Sequence, residues 1–183
     1  MPIDPLLAIS PIDGRYENRM QTLQPVVSEY GLIKYRMHTE IQWLLFLVHN
    51  DIISTPLSSE SLDTLENLDR QFSLESAQRI KQIETSTRHD VKAVEYFIKE
   101  HLEQHTELKI LVPYIHFACT SEDINSTAYS LMLTQARGLL NDSLRNIIAS
   151  LNQMTHKEAN TPMLSRTHGQ TASPTTLGKE IKN

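Results

Sequence analysis

A single cysteine, Cys119, occurs in the chain. No disulfide can form within it, and its cysteine usage gives no sign of an oxidising compartment. Long apolar runs are also missing. The longest, WLLFLV at 43–48, is far shorter than the ~20 residues a membrane-spanning helix needs. The opening MPIDPLLAIS has no basic stretch ahead of an apolar one, so no secretory signal is read and the cytoplasm is the expected compartment. Positive charge is not in excess. Seventeen Lys and Arg against 22 Asp and Glu leave a net charge of −5, a poor surface for nucleic acid. An anionic ligand must then be met by locally placed cations and helix ends. Glycine is scarce, five in 183 residues, and neither a glycine-rich phosphate loop nor a dinucleotide fingerprint is present. What remains is ordinary for one or two globular domains: 39% hydrophobic and 21% charged residues.

Helical periodicity fills most of the chain, and no strand is strongly predicted. Residues 28–49 place Ile33, Met37, Ile41, Leu44 and Val48 on one stripe, with Ser28 as a cap. Leu62, Leu65, Leu68 and Phe72 make a second stripe. Ala77, Ile80 and Ile83 mark a short helix over 74–84, and Val91, Val94, Ile98 and Leu102 mark another over 89–104. Pro113, inside LKILVPYIHF at 108–117, interrupts the pattern. It sets the expected domain boundary, 1–112 and 113–183. Ile124, Ala128, Leu131 and Gln135 predict a helix over 123–140; Leu144, Ile148, Leu151 and Met154 predict another over 142–158. A loop follows, and Ser173-Pro174 reads as the N-cap and first residue of a last helix. Some ten residues of helix at a bare C-terminus would be marginal alone, so the chain reads as cut. Helices 123–140 and 142–158 then lack partners, and their apolar faces are expected to be exposed and to associate.

Four segments break the amphipathic pattern. In SPIDGRYENRM (10–20), Gly14 allows a tight turn, and Arg15 beside Tyr16 offers a forked cation and a hydroxyl that suit a phosphate. In TSTRHDVKAVEYF (85–97), Thr87 and Asp90 have near capping-box spacing, and Arg88, His89 and Lys92 crowd a helix N-terminus, a place that attracts anions. In FACTSEDINST (117–127), Thr120 and Ser121 suit an N-cap, Glu122 and Asp123 suit a first turn, and the same hydroxyls and free N–H groups could hold a carboxylate. His116 lies just upstream. In LSRTHGQTASP (164–174), Arg166 and Gln170 bracket His168, and Gly169 permits close backbone approach. Each segment has a plainer reading: a solvated turn, a simple cap, or a loop histidine satisfied by backbone. A histidine titrates near neutral pH, which makes it a natural general acid. His101 and His105 are spaced to share a metal, but Leu102 stands where a zincin helix needs Glu and no third ligand is evident. No metal is expected. Trp43 reads as core or subunit contact.

Together, SPIDGRY, RHDVKAVEYF, HFACTSEDIN and SRTHGQTASPTTLGKE resemble successive landmarks of the adenylosuccinate lyase family in its long bacterial form. TSEDIN and RTHGQ have counterparts across the wider fumarase, aspartase and argininosuccinate lyase superfamily; DGRY with RHDVKAVE points to the purine enzyme. The resemblance implies an all-α fold, with a small N-terminal helical domain before the start of a long-helix bundle. It implies a homotetramer with active sites where three subunits meet, and no cofactor. The implied reaction is β-elimination of fumarate from adenylosuccinate, giving AMP, and from the succinyl-carboxamide ribotide of purine synthesis. The resemblance makes His168 the general acid. Arg15 and Tyr16 would hold the nucleotide phosphate, Arg88, His89 and Asp90 would line the nucleotide site, and Thr120 and Ser121 would hold the succinyl part. Gln170 would contact a carboxylate, and His116 would tune the site. The family's serine base lies on a glycine-rich loop with the signature SSxMPxKxNP, which this sequence lacks. The chain by itself is therefore expected to be inactive. A sibling lyase acting on argininosuccinate and a noncatalytic helical module are the competing readings.

Overall fold

The chain forms two compact units, Met1–Ala136 and Arg137–Asn183, in a computed structural model that describes residues 4–183. In the first unit, short 3₁₀ turns at Pro5–Leu7 and Glu17–Arg19 lead to helix α1 (Gln24–Val27) and then α2 (Glu29–His49), α3 (Ser59–Arg70), α4 (Leu74–Thr87) and α5 (Asp90–Leu102). Serine starts three of these helices. Ser28, Ser58 and Ser73 each accept a hydrogen bond from a backbone N–H of the first turn, satisfying a donor the helix itself leaves free. The predicted stripes meet in one core: Ile41, Leu44, Leu65, Ile80, Val94, Ile98 and Leu102 are all at most 1% exposed. Pro113 lies inside a 3₁₀ segment, Leu108–Tyr114, that follows the end of α5 and whose Leu108 and Leu111 reach the same core.

That segment is tied back to α3 by Glu107. Its carboxylate accepts from the Ser58 N–H at 3.0 Å and from the Ser58 and Ser61 hydroxyls at 2.7 Å each. The Ser58 hydroxyl, the Ser58 N–H and the Ser61 hydroxyl together hold this carboxyl at about 2, below an ordinary 4.5. A depressed carboxyl contributes stability that is present above about pH 4.5 and lost as the pH falls toward 2. The group is solvent-exposed, so the effect is small and screened. Glu107→Gln is expected to flatten the slope of unfolding free energy between pH 5 and 2, read by urea titration at each pH; an unchanged slope would refute the tether.

Helix α6 (Ser121–Lys157) is one continuous helix of 37 residues, where two were expected at 123–140 and 142–158. The reason is chemical. No proline interrupts it, and its interior Gly138 costs only ~0.5–1 kcal/mol against alanine. Its buried row is also different: Ile124, Ala128, Met132 and Ala136, at strict four-residue spacing, are buried, while Gln135 is exposed. Beyond Ala136, the apolar side chains Leu140, Leu144, Ile147, Ile148, Leu151 and Met154 are 44–57% exposed, as expected for unpartnered bundle faces.

The second unit overturns the reading of its loop. Residues 162–176 are not a loop followed by a helix start at Ser173-Pro174. They form a hairpin of β1 (Pro162–Thr167) and β2 (Gln170–Thr176), with Pro174 opposite Leu164 and a register irregularity between Leu164 and Arg166. A proline is tolerated in a strand at such a bulge or on an edge, and this two-stranded ribbon has two edges. The helix begins later, as α7 (Leu177–Lys182), with the Thr176 hydroxyl accepting from the Lys179 N–H. Gly178 joins α7 to the end of α6. Its N–H donates to the Glu158 carbonyl at 2.9 Å. A Cβ at this position would meet the Thr155 carbonyl oxygen and lie 2.7 Å from the Ala159 Cα and 2.8 Å from its nitrogen. These are backbone atoms and no rotamer change relieves them, so Gly178→Ala is expected to cost ~1–3 kcal/mol and to release α7. Hydrogen exchange would show amides 177–182 losing protection. Protection equal to the parent would contradict this packing.

Candidate functional site

In the first unit, the segment Arg88–Asp90 is the joint between α4 and α5. Arg88 caps α4 with φ of 52°, in the left-handed region where a non-glycine residue is strained. The cap of α5 is His89, not Thr87 as the spacing predicts. His89 Nδ1 accepts from the Lys92 N–H at 3.2 Å, leaving Nε2 as the ring atom that carries the proton. Thr87 is the last residue of α4, and its hydroxyl donates to the His89 carbonyl at 3.1 Å. Arg88 and His89 are exposed. Asp90 is engaged on both oxygens: Oδ1 accepts from the Val91 N–H at 2.8 Å and Oδ2 pairs with Arg36 Nη2 at 2.6 Å. Partial burial pushes this carboxyl up, but the Val91 N–H and the Arg36 charge and hydrogen bond outweigh it and carry the group below its ordinary value.

Thr120 and Ser121 stand at the start of α6. The Thr120 N–H donates to Asp123 Oδ2 at 2.8 Å, and the Asp123 N–H returns to the Thr120 carbonyl at 3.0 Å. This closes the first turn with an acidic side chain at its positive end. Upstream, His116 and Ala118 both have positive φ, 61° and 58°, so the chain doubles back before the helix. Two α2 side chains hold that turn. Glu40 Oε1 bonds His116 Nδ1 at 2.6 Å and Glu40 Oε2 accepts from the His116 N–H at 3.2 Å, while Trp43 Nε1 donates to the Phe117 carbonyl at 2.8 Å. Glu40 is fully buried, which pushes its carboxyl up; the bond and charge of His116 draw it partly back, and Glu95 adds repulsion. Trp43 thus packs against the core and has a polar partner as well.

Two groups that the sequence reading passed over therefore organise this region. Arg36 and Glu40 are the two buried charged residues among those described. Arg36 binds Asp90 of α5 and, through Nε at 2.8 Å, the Asn125 carboxamide of α6. It draws the N-termini of two helices, and with them Arg88–Asp90 and Thr120–Ser121, to one guanidinium. A signal was present: Arg36, Glu40 and Trp43 recur at four and three residues among the apolar positions of one helix. Buried charges at helical spacing imply partners.

Arg15 and Tyr16 lie in the N-terminal turn of the same unit. Both are exposed, and the Arg15 guanidinium sits 5.5 Å from the centre of the Tyr16 ring, within cation–π range. In the second unit, His168 and Gly169 are the two residues between the paired Thr167 and Gln170, with φ of 50° and 74°. Positive φ at both positions is what a tight two-residue hairpin requires. His168 and Gln170 are exposed at its tip, with Arg166 two residues back on β1. His101, at the far end of α5, bonds its own helix instead, Nδ1 to the Phe97 carbonyl at 2.9 Å.

Comparison with known proteins gives a consistent picture. The profile of a lyase family matches residues 14–183. Along its whole length the chain is 45% identical to the adenylosuccinate lyases of Vibrio cholerae and of Legionella pneumophila, and 44% identical to that of Escherichia coli. The chain spans 41% of the length of these curated relatives. Among solved structures, the fumarate lyase from Mesorhizobium sp. BNC1 superimposes with a TM-score of 0.67 at 21% identity, over 90% of this chain and 36% of that one. The 3-carboxy-cis,cis-muconate lactonizing enzyme from Pseudomonas putida does so with a TM-score of 0.65 at 18% identity, over 88% and 35%. At such identities these two show the shared fold alone: mostly helical, of the fumarase/aspartase type.

Proposed function

The chain belongs to this lyase family, and from that premise we propose that it supplies the nucleotide-binding and general-acid portion of an adenylosuccinate lyase. The observation that carries the reading is the 45% identity to an adenylosuccinate lyase over the whole chain, a match that runs through every landmark segment. The reaction is elimination of fumarate. A base takes a proton from the carbon beside a carboxylate, the carbon–nitrogen bond breaks, a carbon–carbon double bond forms, and the departing nitrogen takes a proton. His168 is the donor of that last proton. The exposed hairpin tip, with its ring outside any helix, suits a group that meets a ligand. Arg15 and Tyr16 hold the phosphate, Arg88, His89 and Asp90 line the nucleotide, Thr120 and Ser121 hold the succinyl part, and Gln170 contacts a carboxylate. Asp90 does so largely through its neighbours, because its own oxygens are occupied. The succinyl-carboxamide ribotide is the second substrate. We also propose that the working enzyme is a cytoplasmic homotetramer without cofactor, and that a domain boundary at 112/113 precedes the long bundle helix.

The serine-base signature is absent from these 183 residues, so the test uses a chimera. The chain replaces its matching segment in the Vibrio cholerae relative, and the ultraviolet change of adenylosuccinate cleavage is followed. Turnover in the chimera and none in the 183-residue chain alone is the expected result. Fumarate released from argininosuccinate but not from adenylosuccinate would move the chain to a sibling activity and end the assignment of Arg15 and Tyr16.

A further inference from the structure

We infer that the buried stripe Arg36–Glu40 of α2 positions the proposed site. Arg36 fixes the gap between the α5 and α6 N-termini, and Glu40 fixes the His116 ring. The substrate in this inference rests on the lyase reading; the geometry does not. Arg36 is 5% exposed and its guanidinium holds two different elements at once, Asp90 Oδ2 at 2.6 Å and Asn125 Oδ1 at 2.8 Å. The planar fork is what allows this. Nη2 and Nε point in fixed directions, so the carboxylate and the carboxamide are held at a set separation. An ammonium on a flexible stem cannot reproduce that constraint.

Four residues along the same face, Glu40 grips His116 twice, on the ring and on the backbone N–H. One hydrogen lies between Nδ1 and Oε1. Among the described residues nothing bonds His116 Nε2, which leaves that atom as the one available to a ligand. The His116 side chain is 15% exposed, enough to be reached. Its backbone is held at φ of 61°, a strained conformation that the Glu40 bonds stabilise. The two α2 residues thus control one coordinate each: the separation of two helix ends, and the direction of one imidazole. Neither needs to touch substrate. Both are positioning residues.

The test has two readouts. The first uses the 183-residue chain and needs no activity. In Arg36→Lys, amide chemical shifts of Arg88–Asp90 and of Thr120–Asn125 are expected to move together; changes confined to α2 would overturn the inference. In Glu40→Gln, the ring nitrogen signals of His116 are expected to change, and an unchanged ring would overturn the second half. The other readout is kinetic, in the Vibrio cholerae chimera. Arg36→Lys is expected to raise KM and Glu40→Gln to lower kcat, each on the order of 10²-fold, as ångström-scale misplacement does. Asn125→Ala severs one arm of the Arg36 fork and is expected to follow Arg36→Lys in KM, which serves if a charged variant does not fold. Arg79→Gln, at an exposed ion pair with Glu100, is the control. Variants that lose thermal stability while kcat and KM stay at the parent values would reduce the stripe to a structural role. A parent chimera inactive on adenylosuccinate but active on argininosuccinate defeats the lyase assignment, and the same ratios then judge the stripe on that substrate. With neither substrate turned over, the amide and ring signals alone decide.

Discussion

His168→Ala in the chimera is expected to lower kcat by ~10²–10⁴-fold, the usual worth of a positioned proton donor. The nitrogen leaving the succinyl carbon is a poor leaving group until it is protonated. Without an imidazole at this position the proton must come from water, while charge still accumulates on the far carboxylate. The substitution also has a conformational side, because His168 sits at φ of 50° in a two-residue turn. Alanine is disfavoured there; asparagine is tolerated. His168→Asn therefore separates the two effects. It keeps the hairpin and removes the acid, and it should match the alanine variant in kcat while retaining the parent's unfolding transition. If His168→Asn keeps more than a tenth of the parent rate, His168 is not the acid. Loss in the alanine variant would then be assigned to the turn.

Leu44→Ala is expected to destabilise the first unit by ~2–5 kcal/mol. Leu44 is 0% exposed at the middle of α2, within the cluster that joins α2 to α3, α4 and α5. Truncating its isobutyl side chain to a methyl removes three carbons, loses burial of ~0.8 kcal/mol for each, and leaves a void that close-packed neighbours fill only partly. Leu133, on α6, is the contrast at 69% exposed, and Leu133→Ala should stay within about 0.5 kcal/mol of the parent. Urea titration of both variants measures the difference. A Leu44→Ala cost below about 1 kcal/mol would mean that this core is looser than its burial implies. The core matters to the site because Leu44 continues the four-residue row of Arg36 and Glu40 along α2, so the residue that packs the core and the two that reach the helix ends share one side of the helix. A helix that shifted on its core would shift both partners of the two helix ends.

The landmark segments, the caps at Ser28 and around Thr120, and the stripes of α2 to α5 were legible along the chain, because each depends on residues three or four apart. The continuity of residues 121–157 as one helix was not, nor was its buried row, Ile124 to Ala136, which is selected by packing against the unit. The hairpin at 162–176 was hidden for a related reason. Its turn is a histidine followed by glycine where asparagine-glycine is the usual signal, and its second strand contains a proline. The sequence by itself determined the family and the helical class, and it singled out the candidate side chains. Only tertiary structure decided that Arg36 joins Asp90 to Asn125, and that Glu40 holds His116 across 76 residues of chain. A charge inside a protein is costly until it meets a partner, and helical periodicity reports only the cost. The partner is chosen by the fold.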